Sequence, residues 1–463
     1  MKQVTTKMLW IYCAPQFAVG LFTAMVNNYL IYFYQPSNES GIPVLITQGT
    51  VFLGILTLIG FIKAVGHIVD AVTDPLVASL SDKSKNKKGR RIPFMKKYAV
   101  PFALSALLIF CVPQGAPGII NNIWLAVCIW AYYVFYTLYM VPHNALLPEM
   151  LKDSGKLVNA YTLNSMFFVV GSALGYVTPL LVSFMKQAGL APVWAWRATF
   201  AIFTLIGVVL LIIPAFSIKE TDYVDSVRPT TPLFASLKHA FSNKHFRRVT
   251  LGQLFEGTSL SFFEACIMYY VTSLLGLPET SSVAILAISI AGSLLMYPFI
   301  NKWVKKSGKK LPMILGCTVF TVAEVVICFV DNIPGNKMVL ACVFALFVSF
   351  PFAILNILPG SMMADVIQYD TAKTGVNQEG VFGAARSFIT KVGTSLAMMI
   401  VPSLTIIGAA AGENIGRLGL KYTAVVGGVF CAIAVIIYLG YNEKDVVSTI
   451  RAAREKKEEV KEN

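Results

Sequence analysis

"HIVDAVTDPLVASLSDKSKNKKGRRIP", residues 67–93, places two carboxylates, Asp70 and Asp74, four residues apart in an apolar run and follows them with a dense basic loop. With the upstream Lys63 and with His67, the ionisable positions are spaced 4, 3 and 4, so a helix sets all four on one face. The basic stretch begins near Asp82. At about 1.5 Å of rise per residue, Asp70 lies roughly 18 Å and Asp74 about 12 Å from that end. In a hydrocarbon core about 30 Å thick, Asp70 is near the midplane. Ionisable groups at such depth are costly and usually face a bundle interior or a water-filled cavity.

The whole chain fits a lipid environment. Of its 463 residues, 56% are hydrophobic and only 13% charged, and the mean hydropathy is +0.67. A soluble domain carries about 25% charged residues. The net charge of +14 does not point to nucleic acid, because the Lys and Arg residues cluster in short loops between apolar runs. The eight cysteines fall mostly inside apolar runs, with no CxxC, and read as small buried hydrophobes rather than a disulfide or metal framework. The start, "MKQVTTKMLWIYCAPQF", reads as a first membrane helix and not as a cleaved signal.

Apolar runs long enough to span a bilayer occur at 10–34, 48–80, 95–113, 120–147, 160–185, 197–216, 249–275, 281–303, 311–330, 337–363, 380–408 and 419–441. Their length, without strict alternation, predicts twelve transmembrane helices and an all-α integral membrane protein. Basic residues crowd the 2–3, 6–7 and 8–9 connections, which places those loops and both termini in the cytoplasm. The polar stretch 217–248 separates a six-helix half at 1–216 from a second at 249–441, with a charged tail at 442–463 as a helix or a disordered end. The stretch 217–248 is a cytoplasmic linker, with a surface amphipathic helix or a solvated strand of chain as its alternatives.

The halves echo each other. "KKGRRIP" at 87–93 matches "KSGKKLP" at 306–312, and "PHNALLPEMLKD" at 142–153 matches "PGSMMADVIQYD" at 359–370, at offsets of 219 and 217 residues. Two parallel six-helix repeats describe the major facilitator fold, whose substrate sites lie near the membrane midplane.

Carboxylates one turn apart repel when both are ionised, and a bound cation or one retained proton relieves that repulsion. Together they offer up to four oxygens to a hard monovalent cation. Asp70 and Asp74 therefore suit Na⁺, Li⁺ or H⁺ coupling. A structural pairing of Asp70 with His67 or Lys63 is the alternative. Pro75, lacking an N–H, can free a carbonyl nearby. Asp82 suits an ion pair with a loop cation, a helix cap, or a gate contact.

These residues resemble a known family. "DAVTDP" followed by "SDKSKNKKGRRIP", "YTLYMVPHNALLPEM" at 136–150, and "MADVIQYD" at 363–370 with "EG" at 379–380 and "KVG" at 391–393 are similar to the glycoside–pentoside–hexuronide:cation symporters of the major facilitator superfamily. The resemblance implies a cation site at Asp70, Asp74 and Thr137 and a sugar-site lysine at Lys391, which also lies roughly 15 Å into its helix. Asn27, Asn28, His67, Tyr136, Asn144 and Glu264 are further substrate candidates, and Asp82, Arg90, Asp365 and Glu379 are candidate gate residues. No metal beyond the monovalent cation is expected. The departures fall on the sugar side. The stretch "APQFAVGLFTAMVNNYL" lacks the family's helix 1 acid. Met140 and Asn144 replace its helix 4 acid and tryptophan, and Ser165 or Met166 its helix 5 arginine. Of the other charges within spans, Glu324 and Arg386 are expected to be paired, and Glu264 to meet either substrate or Arg386. His143 reads as structural.

The expected function is a cation-coupled secondary symporter for a small sugar-like solute, working by alternating access in the inner (plasma) membrane as a monomer. It needs no cofactor besides the coupling ion Na⁺, Li⁺ or H⁺. The alternatives are a cation-coupled carrier of lysolipid or another amphipathic solute, and a membrane sensor without transport. The absence of P-loop, HExxH and nucleophile-elbow motifs argues against an enzyme.

Overall fold

The computed structural model describes residues 4–37, 40–52, 56–84, 86, 89–116, 118–151, 154–223, 240–375, 379–410 and 413–462. Helices dominate. They are α1 (Thr6–Tyr34), α2 (Leu58–Asp82), α3 (Ile92–Leu108), α4 (Gly118–Met150), α5 (Ser154–Tyr176, continued by Thr178–Gln187) and α6 (Pro192–Ser217). Then come α7 (Lys244–Tyr269), α8 (Ser281–Ser307), α9 (Lys310–Ile327), α10 (Lys337–Thr374), α11 (Glu379–Thr405), α12 (Arg417–Leu439) and α13 (Glu443–Glu462). Among the described residues, nine helical spans are long and apolar enough by themselves to cross a membrane. The remaining three of the expected twelve are α3, with 17 residues, and the two charge-bearing helices α2 and α7.

Several expected boundaries move. The second helix begins at Leu58 rather than near 48. Thr50–Phe52 (β1) pairs antiparallel with Leu56–Thr57 (β2), as suits a Thr- and Val-containing stretch. Thr57 then caps α2, its side chain accepting from the Gly60 amide at 3.3 Å. The fifth span is interrupted at Val177, where Pro179 opens a new turn. The seventh helix starts at Lys244, inside the stretch read as linker, with Asn243 accepting from the His245 and Phe246 amides. The tail is helical, as α13. In α1, residues Ala24–Tyr29 form a π-turn.

The chain divides into two compact units, Met1–Pro229 with Met398–Gly416, and Thr230–Ala397 with Arg417–Asn463. In the first, α1 packs on α5 and α6, α2 on α4, and α3 on α4 and α6. In the second, α7 packs on α12, α8 on α10, and α9 on α10 and α12. The 1–6, 2–4, 3–4 and 3–6 pairings thus recur as 7–12, 8–10, 9–10 and 9–12, which is the packing counterpart of the internal sequence matches. The last turns of α11, from Met398 on, belong to the first unit, while the rest of that helix belongs to the second.

Candidate functional site

The polar face of α2 forms as its spacing predicts. Asp70 is 3% exposed and Thr137, on α4, fully buried. The Thr137 hydroxyl donates to Asp70 Oδ1 at 2.8 Å. Thr73 lies beside them, its hydroxyl 3.3 Å from Thr137 Oγ1 and bonded to the Asp70 carbonyl at 3.1 Å. Asp74 is half-buried one turn further on. The helix runs unbroken through Pro75. Two carboxylates and two hydroxyls on α2 and α4 give a concentration of hard oxygens, the donor chemistry that a hard cation prefers.

The basic residues of the same stripe also contact α4, α1 and α11. His67 Nε2 lies 3.1 Å from the Tyr133 hydroxyl of α4. Lys63, fully buried, donates from Nζ to the Val26 carbonyl at 3.1 Å and lies 3.0 Å from Met398 Sδ. A π-turn widens the backbone ladder and makes carbonyls available, and Val26 sits in the π-turn that also carries Asn27 and Asn28. Lys63 is therefore not the partner of Asp70. It ties α2 to the kinked wall of α1 and to the end of α11. That end is held further by the Thr57 amide on Ser403 Oγ at 3.1 Å and by Gln35 Nε2 on the Pro402 carbonyl at 3.5 Å.

The other solute candidates are distributed over both units. In the first, Asn28 is buried and Asn27 half-buried. Tyr136 packs on Phe102 and Tyr132. Asn144 is exposed and meets Gln16 Nε2 at 3.5 Å. The ring of His143 is buried and stacked 4.2 Å from that of Tyr12, whose hydroxyl donates to the His143 carbonyl at 2.6 Å. In the second unit, Lys391 on α11 and Glu264 on α7 are half-buried.

The expected pairing of Glu324 with Arg386 fails: Arg386 donates from Nε to Gln253 Oε1 at 2.9 Å. Neither oxygen of the fully buried Glu324 has a hydrogen-bond partner among the described residues. A neutral amide on α7, Gln253, won the guanidinium because its other end is anchored on the Pro359 carbonyl at 2.6 Å. Glu256 takes the Tyr438 hydroxyl at 3.0 Å.

The candidate gate residues sit at the basic-loop ends of the helices. Arg91 pairs with Asp82 and, at 2.7 Å, with Glu149 at the end of α4. Arg90 lies 3.5 Å from Glu149. In the second unit Lys309 pairs with Asp365 at 2.6 Å. The side chain of Glu379 lies outside the described residues.

Sequence reasoning missed the residues that hold these loops. Glu220, just past α6, accepts the backbone N–H groups of Arg90, Arg91 and Ile92 at 2.7, 2.8 and 2.9 Å. Glu443, just past α12, accepts those of Lys309 and Lys310 at 2.6 and 3.0 Å. Each carboxylate satisfies the orphan donors at the start of a helix, α3 or α9, and complements its dipole. The glycine in each match adopts positive φ, +113° at Gly89 and +80° at Gly308. A Cβ there would meet the clamping carboxylate at 2.2 and 2.6 Å. The signal was available: "KETD" at 219–222 and "NEKD" at 442–445 follow corresponding helices of the two halves.

Comparison with known proteins agrees with this architecture. The profile of the family described as MFS/sugar transport protein matches residues 11–444. An isoprimeverose transporter of Lactiplantibacillus pentosus is 23% identical, with 92% of this chain and 87% of that protein covered. An Escherichia coli protein named as a glycoside/cation symporter is 25% identical, with 83% and 82% covered. Among solved structures, a D-xylose–proton symporter superposes with a TM-score of 0.66 at 13% identity, covering 94% of this chain and 98% of that one. The fold, the repeated pairings and the match along nearly the whole chain agree: this multi-pass membrane protein belongs to the MFS/sugar transport protein family.

Proposed function

We propose that the protein is a cation-coupled symporter that moves a small sugar-like solute by alternating access, with Asp70, Asp74 and Thr137 holding the cation. The observation that carries this reading is the 2.8 Å bond from the Thr137 hydroxyl to the buried Asp70 carboxylate. It fixes the orientation of one carboxylate at membrane depth, and the hydroxyl oxygen adds a further hard ligand beside Asp74. A cation bound there cancels the repulsion between carboxylates one turn apart. Na⁺, Li⁺ and H⁺ are the coupling ions this chemistry admits. The relatives named for isoprimeverose transport and for glycoside/cation symport support the same cargo class.

On this reading Lys391 contributes to solute binding, favouring solutes with hydroxyl-rich or carboxylate-bearing faces. Asn27, Asn28, His67, Tyr136, Asn144 and Glu264 are secondary candidates. Asp82, Arg90, Asp365 and Glu379 act at the gate. The basic loops and both termini lie in the cytoplasm and the protein resides in the inner (plasma) membrane, as the Lys and Arg distribution favours.

The test is uptake by purified protein in liposomes against a panel of glycosides, pentosides, hexuronides and a lysolipid, with Na⁺, Li⁺ or proton gradients imposed. Accumulation of a sugar-like solute driven by one of these ions is expected. Uptake indifferent to all three ions contradicts coupling, and selective uptake of the lysolipid contradicts the cargo class.

A further inference from the structure

Glu324 lies on α9, fully buried, with no hydrogen-bond donor among the described residues to either carboxyl oxygen. It sits about 21 Å along α9 from that helix's basic end, at 1.5 Å per residue. The facing helix α12 is bare at this level. A Cβ on Gly427 would lie 3.2 Å from Glu324 Oε1, and one on Gly428 would lie 3.3 Å from the Glu324 Cβ. Two glycines thus make room for a carboxyl group without offering it a donor.

Among the described residues, the titratable side chains around Glu324 are Cys266 on α7, Tyr270 in the π-turn that follows it, Cys431 on α12, and Cys328 just past its own helix. None brings a positive charge, and three of the four already have acceptors. The Tyr270 hydroxyl lies 2.9 Å from Thr423 Oγ1. Cys431 Sγ lies 3.2 Å from the Cys317 carbonyl, and Cys328 Sγ lies 3.5 Å from the Lys421 carbonyl. The Lys421 ammonium is paired with Asp331 at 2.8 Å, and Arg386 is held by Gln253. Glu256, on the same unit, differs in having the Tyr438 hydroxyl at 3.0 Å. An ionised carboxylate without a donor or counter-charge is far more costly to bury than the neutral acid.

We propose that Glu324 is a proton-binding site of the second unit, filled as the neutral acid in this conformation and independent of the carboxylates on α2. The proton stays while α9 packs against the bare face of α12. It leaves only in a conformation that brings water or a donor to the carboxyl, so proton release is tied to the packing of these two helices. The site gives the protein a protonation step of its own, whichever ion occupies Asp70 and Asp74.

Infrared spectroscopy of the full-length protein in lipid tests this directly. The wild type is expected to show a neutral-acid C=O band that persists at about pH 8, where an ordinary glutamate is fully ionised. Glu324→Gln removes that band, whereas Glu256→Gln and Glu264→Gln leave it in place. Glu324→Asp, which keeps the acid and shortens it, shifts the band and serves where Glu324→Gln does not fold. A wild type without the band at that pH, or a band untouched by both Glu324 variants, overturns the proposal. The readout needs no solute and no cation. Asp70→Asn and Asp74→Asn are expected to retain the band, so a failure of cation coupling leaves this result standing.

Discussion

Thr137 reaches from α4 to donate a 2.8 Å hydrogen bond to Asp70 on α2, between two side chains that are almost entirely excluded from solvent. The bond makes the carboxylate's orientation depend on a neighbouring helix. Thr137→Val keeps the shape and deletes the donor. A lost bond to a buried charged group costs roughly 1.5–3 kcal/mol, so the cation concentration for half-maximal activation is expected to rise at least about tenfold. Thr137→Ser is expected to stay within about threefold of wild type. Cation titration of solute uptake measures both, and an unchanged value for Thr137→Val removes the hydroxyl from the site.

Glu220 and Glu443 make the same clamp on the two units, and their loss is expected to have similar effects. Glu220→Gln and Glu443→Gln keep an acceptor but remove the charge at a helix N-terminus, a change of about 0.3–1 kcal/mol. Glu220→Ala and Glu443→Ala also strand backbone N–H groups, and about 1–3 kcal/mol is expected. Thermal unfolding in detergent ranks each Ala variant below its Gln counterpart. Equal stability of all four would mean that water replaces the carboxylates without loss.

Ser403, in the part of α11 that belongs to the first unit, accepts from the Thr57 amide at 3.1 Å. The rest of α11 belongs to the second unit, so alternating access requires this end to release or the helix to bend. We expect release, because the helix is continuous where the two units divide it. With the native cysteines replaced, a disulfide between Thr57→Cys and Ser403→Cys is expected to stop uptake and reduction to restore it. Full uptake by the cross-linked protein would show that the end stays with the first unit throughout the cycle.

His245, at the basic-loop end of α7 and before the membrane span expected at 249–275, is bonded through Nε2 to Asp445 of the tail helix at 2.9 Å. Burial pulls the imidazole below its ordinary value, partly countered by Asp445. Lys244 and then His245 hold the Asp445 carboxyl below the usual carboxylate range. Below about pH 6.5 a released histidine takes up a proton that the docked one resists. This contribution to folding stability is therefore full above that pH and is lost as pH falls below it. The Asp445 contribution persists until far more acidic conditions. The unfolding temperature in detergent is expected to fall between about pH 7.5 and 5.5, and His245→Asn to flatten the change. An unfolding temperature that rises on acidification through this histidine would contradict the sign.

The sequence made the helices readable because lipid imposes long apolar runs, and the α2 stripe readable because a 4, 3, 4 spacing has one geometric meaning. Thr137 was reachable only through family resemblance, since nothing in the residues around it distinguishes it from a packing threonine. The clamps were hidden by distance: Glu220 and Glu443 bind loops 130 and 134 residues away in sequence. Arg386 was misassigned because charge complementarity favoured an acid, while the folded helices presented Gln253. The early start expected for α2 counted apolar residues and missed that Thr57 caps the helix. The division of α11 between units leaves no mark in a hydropathy pattern.

With Asp70 and Asp74 as the proposed cation site, solute and cation share one linked equilibrium. Calorimetry of solute binding to purified protein, with and without saturating Na⁺, Li⁺ or at lowered pH, measures that linkage. One of these ions is expected to tighten solute binding by about 5- to 150-fold, the solute to tighten ion binding by the same factor, and Asp70→Asn and Asp74→Asn to abolish both effects. Solute affinity independent of every ion, or an ion effect that survives in both variants, would contradict it.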